Sequence, residues 1–413
     1  MSTTNSVFEP AVVRSDFPIL DQRIHRDRAL IYLDNAASTQ RPSAVIEAMT
    51  ECYEKNYANV HRGIHWLSEQ ASAQYEQARL AVQRLINAPY SNEVIFTAGT
   101  TAAINTVAHA WGNQHVGKGD VILLPIFEHH SNIVPWQQLA TRTGAIVRFV
   151  NIDDEGQLDM DDLKQKLDDR TRMIAFAAVS NVLGTIVPVA EIAALAKTVG
   201  AATLVDAAQH VPHGQTDVQA WDVDFVTFSG HKMLGPSGIG VLWGRQALLE
   251  SIPPFLGGGS MIDKVTVDGF TPGELPAKFE AGTPPIVEAI GLGAAVEYLS
   301  KIELDTVHDH EQKLTSVAME RLVGIEGLRV LGPAASLRSG LVSFVVDGVS
   351  AQDISILLDQ KGVAIRAGHH CAMPLHDSLN IKSSCRASFY LYNTLDEVHQ
   401  FADALETVLA KLR

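Results

Sequence analysis

Short apolar segments alternate with helical patterns between Asp120 and Phe228, and few folds accommodate such an alternation. Strands that are apolar throughout and separated by helices are typical of a parallel sheet covered by helices on both faces. A further apolar segment, VIFT, precedes the helical pattern after Thr100, and another helix is predicted to start at Val189, after Pro188. The sequence therefore predicts an α/β fold with a mostly parallel sheet. The five segments are DVILLP, AIVRFVNI, MIAFAAVS, ATLVD and VDFVTFS.

The pattern changes twice towards the C-terminus. Glycine, proline and short polar pieces over residues 257–280 predict a hairpin or flap rather than core. Helical patterns then return and are followed by strands such as LVSFVVD and by a final helix from Leu395, which indicates a smaller α+β domain. We expect an N-terminal segment, 1–28, that packs with the small domain, a large domain over 29–300 and the small domain over 301–413.

Composition and charge exclude several classes of partner. The 413-residue chain has a formal net charge of -15 and no run of lysine and arginine that would follow a phosphate backbone, which disfavours nucleic acid. No apolar stretch approaches the length needed to span a bilayer, and no leader pattern opens the chain. Only three cysteines occur and none forms a C-x-x-C pair, so a disulfide framework is not indicated. We expect a cytoplasmic protein without a membrane or nucleic-acid partner.

Two charged residues come at the ends of predicted buried strands. Lys232, in SGHK, follows VDFVTF, and partial desolvation there would favour the neutral amine that a Schiff base requires. Asp206 ends ATLVD, at the edge where α/β proteins keep their ligands. Taken alone, the lysine is more often structural or exposed, and the aspartate is more often a helix cap or turn residue. Because the intervening sequence has room for one crossover and one strand, we expect both side chains at the same sheet edge.

Besides Lys232 and Asp206, a third candidate site feature is the turn Ala98–Thr101, which directly precedes a predicted helix. The N-terminus of a helix is suited to binding a phosphate group. Pyridoxal phosphate needs a lysine for its aldehyde, a carboxylate for its ring nitrogen and donors for its phosphate. Lys232, Asp206 and this turn together favour a pyridoxal-phosphate site.

Over nearly its whole length, the chain resembles the class V, fold-type I pyridoxal-phosphate-dependent enzymes, and most of all the SufS-type (group II) cysteine desulfurases. The resemblance implies a large domain with a mostly parallel seven-stranded sheet and a smaller α+β C-terminal domain. It also implies an activity, the conversion of L-cysteine to L-alanine with a persulfide left on Cys371. The motifs that carry it are LDNAAST, HRGIH, FTAGTT, EHHSNIVPW, SNVLGT, VDAAQ, SGHK, GGGSMI, FEAGTP, RAGHHCAMP and CRASFYLYNT.

The resemblance also implies which residues contact the cofactor. Lys232 is the expected Schiff-base lysine, Asp206 is expected to pair with the pyridine nitrogen, and Gln209 to reach the ring hydroxyl. His129 is expected to stack on the ring and to move protons. Phosphate contacts are expected from Thr100, Thr101, Ser229 and His231, and from Thr283 of a neighbouring subunit. The last contact implies a homodimer with shared sites.

The substrate carboxylate is expected, by the same resemblance, to be held by Asn181, Arg366 and Arg386, a task suited to the planar fork of arginine. Considered alone, Arg386 would more often be a surface ion-pair residue. Cys371 lies in RAGHHCA, where two histidines and an arginine within five residues would stabilise a thiolate. The persulfide requires a collector, so we expect a SufE- or SufU-like acceptor protein that feeds iron–sulfur cluster assembly. The other cysteines, Cys52 and Cys385, are expected to be packing residues.

Other interpretations remain open at this point. A selenocysteine lyase or a cysteine-sulfinate desulfinase of the same family would use the same residues, whereas a more distant aminotransferase would give Cys371 no task. A hypothesis of another class is a non-catalytic scaffold that binds pyridoxal phosphate and docks a partner. The histidine pairs 129/130 and 369/370 do not predict a metal site, because adjacent side chains point apart and no suitably spaced third ligand joins them.

Overall fold

The computed structural model describes residues 8–413, so the first seven residues of the expected N-terminal segment lie outside the described residues. The helices are α1 (Pro10–Arg14), α2 (Ser43–Glu51), α3 (Trp66–Leu85), α4 (Thr100–Ala110), α5 (Gly112–His115), α6 (Val134–Thr143), α7 (Met160–Lys166), α8 (Val189–Thr198), α9 (Val218–Trp221), α10 (Gln246–Ser251), α11 (Ile286–Ser300), α12 (Leu304–Val323), α13 (Ala351–Asp359), α14 (Met373–Ser378) and α15 (Leu395–Leu412).

The strands belong to two main sheets and to short two-stranded pairings. They are β1 (Arg23–Ile24), β2 (Arg28–Ala29), β3 (Ile31–Tyr32), β4 (Val94–Thr97), β5 (Val121–Pro125), β6 (Ile146–Val150), β7 (Thr171–Ala177), β8 (Ala202–Asp206), β9 (Phe225–Ser229), β10 (Gly240–Gly244), β11 (Ile262–Val265), β12 (Phe270–Pro272), β13 (Leu328–Leu331), β14 (Leu341–Val346), β15 (Val363–Ala364), β16 (Arg366–Gly368) and β17 (Ser384–Ser388).

The large sheet has seven strands in the order β4-β10-β9-β8-β7-β5-β6. The strands β5 to β9 pair in parallel, and β10 runs antiparallel to both of its neighbours, β4 and β9. The predicted seven-stranded, mostly parallel sheet is thus confirmed. Each parallel strand follows a helix or loop that crosses over the sheet, so the carboxyl ends of the strands meet at one edge.

Both faces of this sheet are buried, which explains why its strands are apolar throughout. On β5, Val121 and Leu123 belong to one hydrophobic core, whereas Ile122 and Leu124 belong to a second core on the opposite face. Successive side chains of a strand point to opposite faces, so a strand between two layers of helices needs apolar residues at every position. Asp206 and Lys232, the charged residues that this sheet contributes to the cavity, accordingly lie at or just beyond strand ends.

The smaller unit is an antiparallel sheet in the order β13-β14-β17-β16, with α12, α13 and α15 packed against it around a core of its own. The chain passes from α11, which packs on α2 and α3, to α12 across residues 301–303. The strand β3 pairs with β15, and Ile31 and Leu33 belong to the core of the small unit. The N-terminal part that packs on the small unit thus continues to Leu33, five residues beyond the expected end at residue 28.

The segment 257–280 contains a hairpin of β11 and β12, as the glycine- and proline-rich sequence predicts. None of the helices described between Phe8 and Arg413 combines the length and the apolar composition needed to cross a bilayer.

The final helix, α15, starts at Leu395 because Thr394 closes its N-terminus. The Oγ1 of Thr394 accepts from the backbone N–H of Glu397 at 3.2 Å, and Oε2 of Glu397 accepts from the N–H of Thr394 at 3.0 Å. This reciprocal pair is a capping box. The carboxylate of Glu397 also pairs with Arg14 at 2.9 Å, which ties the N-terminal segment to the small unit.

We predict that Thr394→Ala lowers the free energy of unfolding of the small unit by about 1 kcal/mol, the typical cost of losing an N-cap side chain. Thr407→Ala is the matched control, because this exposed threonine of the same helix bonds only the carbonyl of Asp403, at 2.9 Å. Urea unfolding followed by circular dichroism measures both. Equal losses in the two variants would contradict the role of the capping box.

Candidate active site

A cavity of about 180 Å³ opens where the carboxyl ends of β8 and β9 meet the turn before α4 and the loop after β5. The small unit closes it from the other side with residues of β16, β17 and the loop between β16 and α14. The structure thus brings most of the expected site residues together. Those that line the cavity are Thr100, Thr101, His129, Asn181, Asp206, Ser229, His231, Lys232, Arg366, Cys371 and Arg386.

Lys232 and Asp206 face each other at the ends of neighbouring strands. The side chain of Asp206 is 6% exposed, and its Oδ1 accepts from the N–H of Ala208 at 3.0 Å. Burial raises the pKa of Asp206, while the charge of Lys232 opposes that rise. Burial lowers the pKa of Lys232, while Asp206 opposes that fall. Among residues 8–413, no hydrogen-bond partner lies within reach of the Lys232 Nζ, so the amine is free to react.

The turn before α4 presents a set of donors to the cavity. Gly99 has a φ of 138°, which a residue with a side chain rarely adopts, and it leads directly into Thr100 at the helix N-terminus. The Oγ of Ser229 accepts from the N–H of Thr100 at 2.9 Å and lies 2.8 Å from its Oγ1. The Oγ1 of Thr101 lies 2.6 Å from the Oγ of Ser131. Hydroxyls and free backbone N–H groups at the start of an eleven-residue helix suit a phosphate group.

The sequence makes this turn possible through a second glycine. A Cβ placed on Gly240 of β10 would lie 2.5 Å from the Cα of Gly99. Any side chain at this position would push the turn away from the sheet.

His129 projects into the cavity from the loop after β5. Its Nδ1 accepts from the N–H of Ser131 at 3.1 Å, which places the proton of the neutral ring on Nε2. Burial, followed by the nearby charge of Lys232, lowers the pKa of His129 to about 3. The ring is therefore neutral at physiological pH, apolar enough to stack and able to exchange a proton through Nε2.

The preceding residue, Glu128, was missed by the sequence analysis. It is fully buried, and its carboxyl accepts from Nδ2 of Asn132 and from the N–H of Ala177, both at 2.7 Å. Ala177 is the register partner of Asp206, so Glu128 joins the loop of His129 to the strand beside Asp206. The sequence signal that could have identified Glu128 is an acidic residue directly after an apolar run.

Two arginines face the cavity from the small unit. Arg366 and Arg386 are register partners on β16 and β17, an arrangement in which like charges repel. Arg386 is 2% exposed and donates through NH1 to the carbonyl of Asn181 at 2.8 Å and through NH2 to Oδ1 of Asp34 at 3.3 Å. Its Nε has no partner within the described residues. Burial lowers the pKa of Arg386 to about 10, an effect that Asp34 opposes and Arg366 reinforces. Such a pair is suited to an anionic ligand.

Asp34 was also missed by the sequence analysis, although it lies in the motif LDNAAST. It follows the short strand β3, and its contact with Arg386 spans 352 residues of sequence. The sequence shows Asp34 as a polar residue after a short apolar segment, but it does not show that Arg386 is its partner.

Cys371 lies in a partly exposed position in the loop between β16 and α14. His370 and Cys371 have φ values of 50° and 57°, the left-handed region that residues other than glycine rarely adopt. The carbonyl of His370 accepts from Nδ2 of Asn181 at 2.7 Å, which holds this loop against the large unit. Cys52 and Cys385 are both buried, as the sequence analysis expected of packing residues.

Two expected site residues lie outside the cavity lining. Gln209 is buried beside it and donates from Nε2 to the carbonyl of Ala36, a residue that does line it, at 2.7 Å. Thr283 instead lines a second cavity of about 480 Å³, together with Ala98 and the partly exposed Phe255. Among residues 8–413, no group of three histidine, cysteine or acidic side chains is arranged to hold a metal ion.

The class-V aminotransferase family model matches residues 31–401 of this chain. This chain belongs to the class-V aminotransferase family. The assignment to class V made from the sequence motifs is confirmed, while the SufS-type subgroup stays a prediction. The match covers both the large and the small unit.

Individual relatives and solved structures agree with this family. The chain is 46% identical to a "Probable cysteine desulfurase" of Streptomyces coelicolor over 99% of both chains, and 46% identical to a "Cysteine desulfurase" of Haloferax volcanii over 95% of both. Its fold is similar to that of the cysteine desulfurase CsdA of Escherichia coli in an S-sulfonic acid form, with a TM-score of 0.92 and 38% identity over 99% of this chain and 100% of that one. The apo cysteine desulfurase of Thermococcus onnurineus NA1 gives a TM-score of 0.93 and 39% identity over the whole of both chains.

We predict that His129 stays neutral between about pH 5 and pH 8, because burial and Lys232 keep its pKa far below the ordinary histidine value. Nitrogen-15 NMR of histidine-labelled holoenzyme measures the protonation state, with His129→Gln used to assign the signal. A titration of this signal with a midpoint near the ordinary value of about 6.5 would contradict the account of the site.

Proposed function

We propose that this protein is a pyridoxal-phosphate-dependent cysteine desulfurase, which converts L-cysteine to L-alanine and leaves the sulfur as a persulfide on Cys371. The observation that carries the proposal is the single cavity that contains the Lys232 amine, the Cys371 thiol and the guanidinium groups of Arg366 and Arg386. An aminotransferase would need the lysine and an arginine but would have no use for the thiol. The printed names of the similar proteins support the same activity.

The residues at the strand ends fit the cofactor. Lys232 provides an unpartnered amine for the aldehyde, Asp206 a buried carboxyl for the ring nitrogen, and the neutral ring of His129 a surface for stacking. Gln209, buried beside the cavity, would reach the ring hydroxyl. The phosphate would be held by Thr100 and Thr101 at the start of α4 and by Ser229 and His231 at the end of β9 and just beyond it. When bound, pyridoxal phosphate supplies an electron sink for the bonds of the substrate that break.

The arginine pair explains the orientation of the substrate. Arg366 and Arg386 repel each other across the strand pair, and a carboxylate between them would relieve that repulsion. Asn181 accepts from Arg386 through its carbonyl and so keeps the guanidinium in place. With its carboxylate there, cysteine would share the cavity with the amine of Lys232 and the thiol of Cys371, which line it together with the two arginines.

The sulfur transfer needs two groups of this chain. The amine of Lys232, whose pKa burial lowers, accepts the proton from the α-carbon of cysteine. The thiolate of Cys371 then attacks the substrate sulfur: a sulfur–sulfur bond forms, the carbon–sulfur bond breaks, and its electron pair returns to carbon. A proton taken up at that β-carbon and the return of the proton from Lys232 to the α-carbon complete alanine, and Cys371 keeps the sulfur as a persulfide. The nucleophile is thus also the product carrier.

The persulfide must be collected by another thiol. Cys371 lies in a partly exposed loop, so the outer sulfur is within reach of a thiol on an acceptor protein. A SufE- or SufU-like protein that supplies iron–sulfur cluster assembly is the acceptor that fits the family resemblance. The same proposal places the protein in the cytoplasm, because its three cysteines are unpaired and thiols stay reduced in that compartment.

We predict that Cys371→Ser keeps the cofactor attached to Lys232 and still binds cysteine, but releases alanine from it at least about 10³-fold more slowly, the scale expected for loss of a nucleophile. The same variant should keep a measurable share of activity with selenocysteine, because selenium leaves carbon more easily than sulfur. Alanine formation is the common measurement for both substrates.

Cys385→Ser is the control, because this cysteine is buried away from the cavity. If Cys371→Ser forms alanine from cysteine at the parent rate, the proposed mechanism is wrong. A parent enzyme that acts only on selenocysteine or cysteine sulfinate would favour the alternative members of the family.

The location of Thr283 supports a homodimer. Within one chain it lies in the second cavity, which adjoins the far side of the turn before α4 through Ala98. Phe255 and Leu256, which line the same cavity, are 38% and 57% exposed, and burial of such side chains favours association. In the dimer that we propose, Thr283 completes the phosphate contacts of the neighbouring subunit.

We predict that Thr283→Ala increases the rate of cofactor loss about tenfold, because one neutral hydrogen bond to the phosphate disappears. Release of pyridoxal phosphate on dilution, followed by its visible absorbance, measures that rate, and sedimentation measures the oligomeric state. An active monomer that retains its cofactor would contradict both the dimer and the role of Thr283.

A further inference from the structure

We propose that His130, the second histidine of the EHH motif, is a positioning residue that holds Cys371 in place for attack on the substrate sulfur. The inference rests on the proposed function and deepens it. The backbone N–H of His130 donates to the carbonyl of Cys371 at 2.7 Å. Its side chain accepts, through Nε2, from the N–H of Met373 at 3.0 Å. His130, a residue of the large unit, thus binds the loop of Cys371 on both sides of Ala372.

The loop needs such support because of its backbone conformation. His370 and Cys371 both adopt the left-handed region, where two consecutive residues with side chains are strained. Such a conformation persists only where the surroundings specify it strongly. Three contacts cross from the large unit to these residues and their neighbours, one from Asn181 and two from His130.

The side chain of His130 also provides an acceptor for the backbone N–H of Met373, which would have no partner within its own helix. Met373 is the first residue of α14, and the first N–H groups of a helix have no partner inside the helix. The Nε2 of His130 accepts this N–H, so the proton of the neutral ring lies on Nδ1. The contact fixes the start of α14 two residues after Cys371, which limits the directions in which the thiol can point.

The other contacts of the loop do not replace this one. His370 and His376 are both within hydrogen-bond distance of Oγ of Ser384, at 3.1 and 3.0 Å, which ties the loop to β17 of its own unit. These bonds hold the loop within the small unit, whereas His130 sets its position relative to Lys232 and the substrate. Loss of the His130 side-chain contact should therefore slow sulfur transfer and leave cofactor binding intact.

The test uses a pair of variants that carry the same amide group at different distances from the backbone. In His130→Gln, Oε1 can occupy the place of Nε2 and accept from Met373, whereas in His130→Asn the shorter side chain ends near the place of Nδ1. Both keep the backbone contact to Cys371 and add no charge. His115→Ala is the control, because this exposed histidine at the end of α5 does not line the cavity.

Holoenzyme is mixed with saturating cysteine, and persulfide on Cys371 is followed in a single turnover. In His130→Asn we expect persulfide formation about ten- to a hundredfold slower than in the parent, since small misplacements of a reacting group have effects of this size. The KM for cysteine and the visible spectrum of the cofactor should stay unchanged. His130→Gln should recover most of the rate. Equal rates in the parent and His130→Asn, or equal losses in both variants, would overturn the proposal.

A second measurement separates this proposal from the proposed function. Hydrogen exchange at the amide of Met373 is measured in resting holoenzyme, without substrate, where it reports only the contact with His130. Exchange should be faster in His130→Asn than in the parent and restored in His130→Gln. If the parent forms no persulfide, the proposed function fails while this exchange still decides whether His130 holds the loop. Unchanged exchange in His130→Asn would show that it does not.

Discussion

Burial of both faces of the seven-stranded sheet is the constraint on which the site depends. A charged side chain in the middle of an inner strand of such a sheet would lose its hydration without compensation, so charge on the inner strands is tolerated only near their ends. Asp206 and Lys232 occupy the ends of two neighbouring strands, where each keeps the other from a larger shift of its pKa. The same burial that lowers the pKa of Lys232 favours its neutral amine, while the carboxylate of Asp206 opposes this effect.

The small unit contributes two arginines and the thiol of Cys371 to the cavity. Its antiparallel strands β16 and β17 carry two arginines opposite each other, and the loop that follows β16 carries the thiol. Asp34 and Asn181 hold Arg386, and Asn181 also holds the loop at His370. In the proposed function, acid–base chemistry thus comes from one unit and the anion site and nucleophile from the other, so the reaction depends on the fit between the two units.

Much of this arrangement could be predicted from the sequence, because it depends on local patterns. The apolar strands, their order along the chain and the residues at their ends follow from burial on both faces, and Lys232 and Asp206 were found in this way. Family motifs then identified Arg386 and Cys371, whose surroundings are not informative alone.

Contacts between distant parts of the chain could not be predicted. Asp34 meets Arg386 across 352 residues, and His130 reaches Met373 across 243. Glu128 is a buried carboxyl whose two partners lie on different elements, so its sequence neighbours do not reveal its task. Ile31 and Leu33 belong to the core of the small unit, although they lie in the range expected for the large domain. Such features depend on tertiary packing, which local periodicity does not encode.

The central claim is that sulfur passes from free cysteine to Cys371 and to no other cysteine of the chain. Mass spectrometry of the holoenzyme after one turnover with cysteine, followed by peptide mapping under conditions that preserve persulfides, tests it most directly. The account predicts one additional sulfur atom on the peptide that contains Cys371, one alanine released for each, and unmodified Cys52 and Cys385. Alanine release with no additional sulfur on Cys371, or with the sulfur on another cysteine, would contradict it.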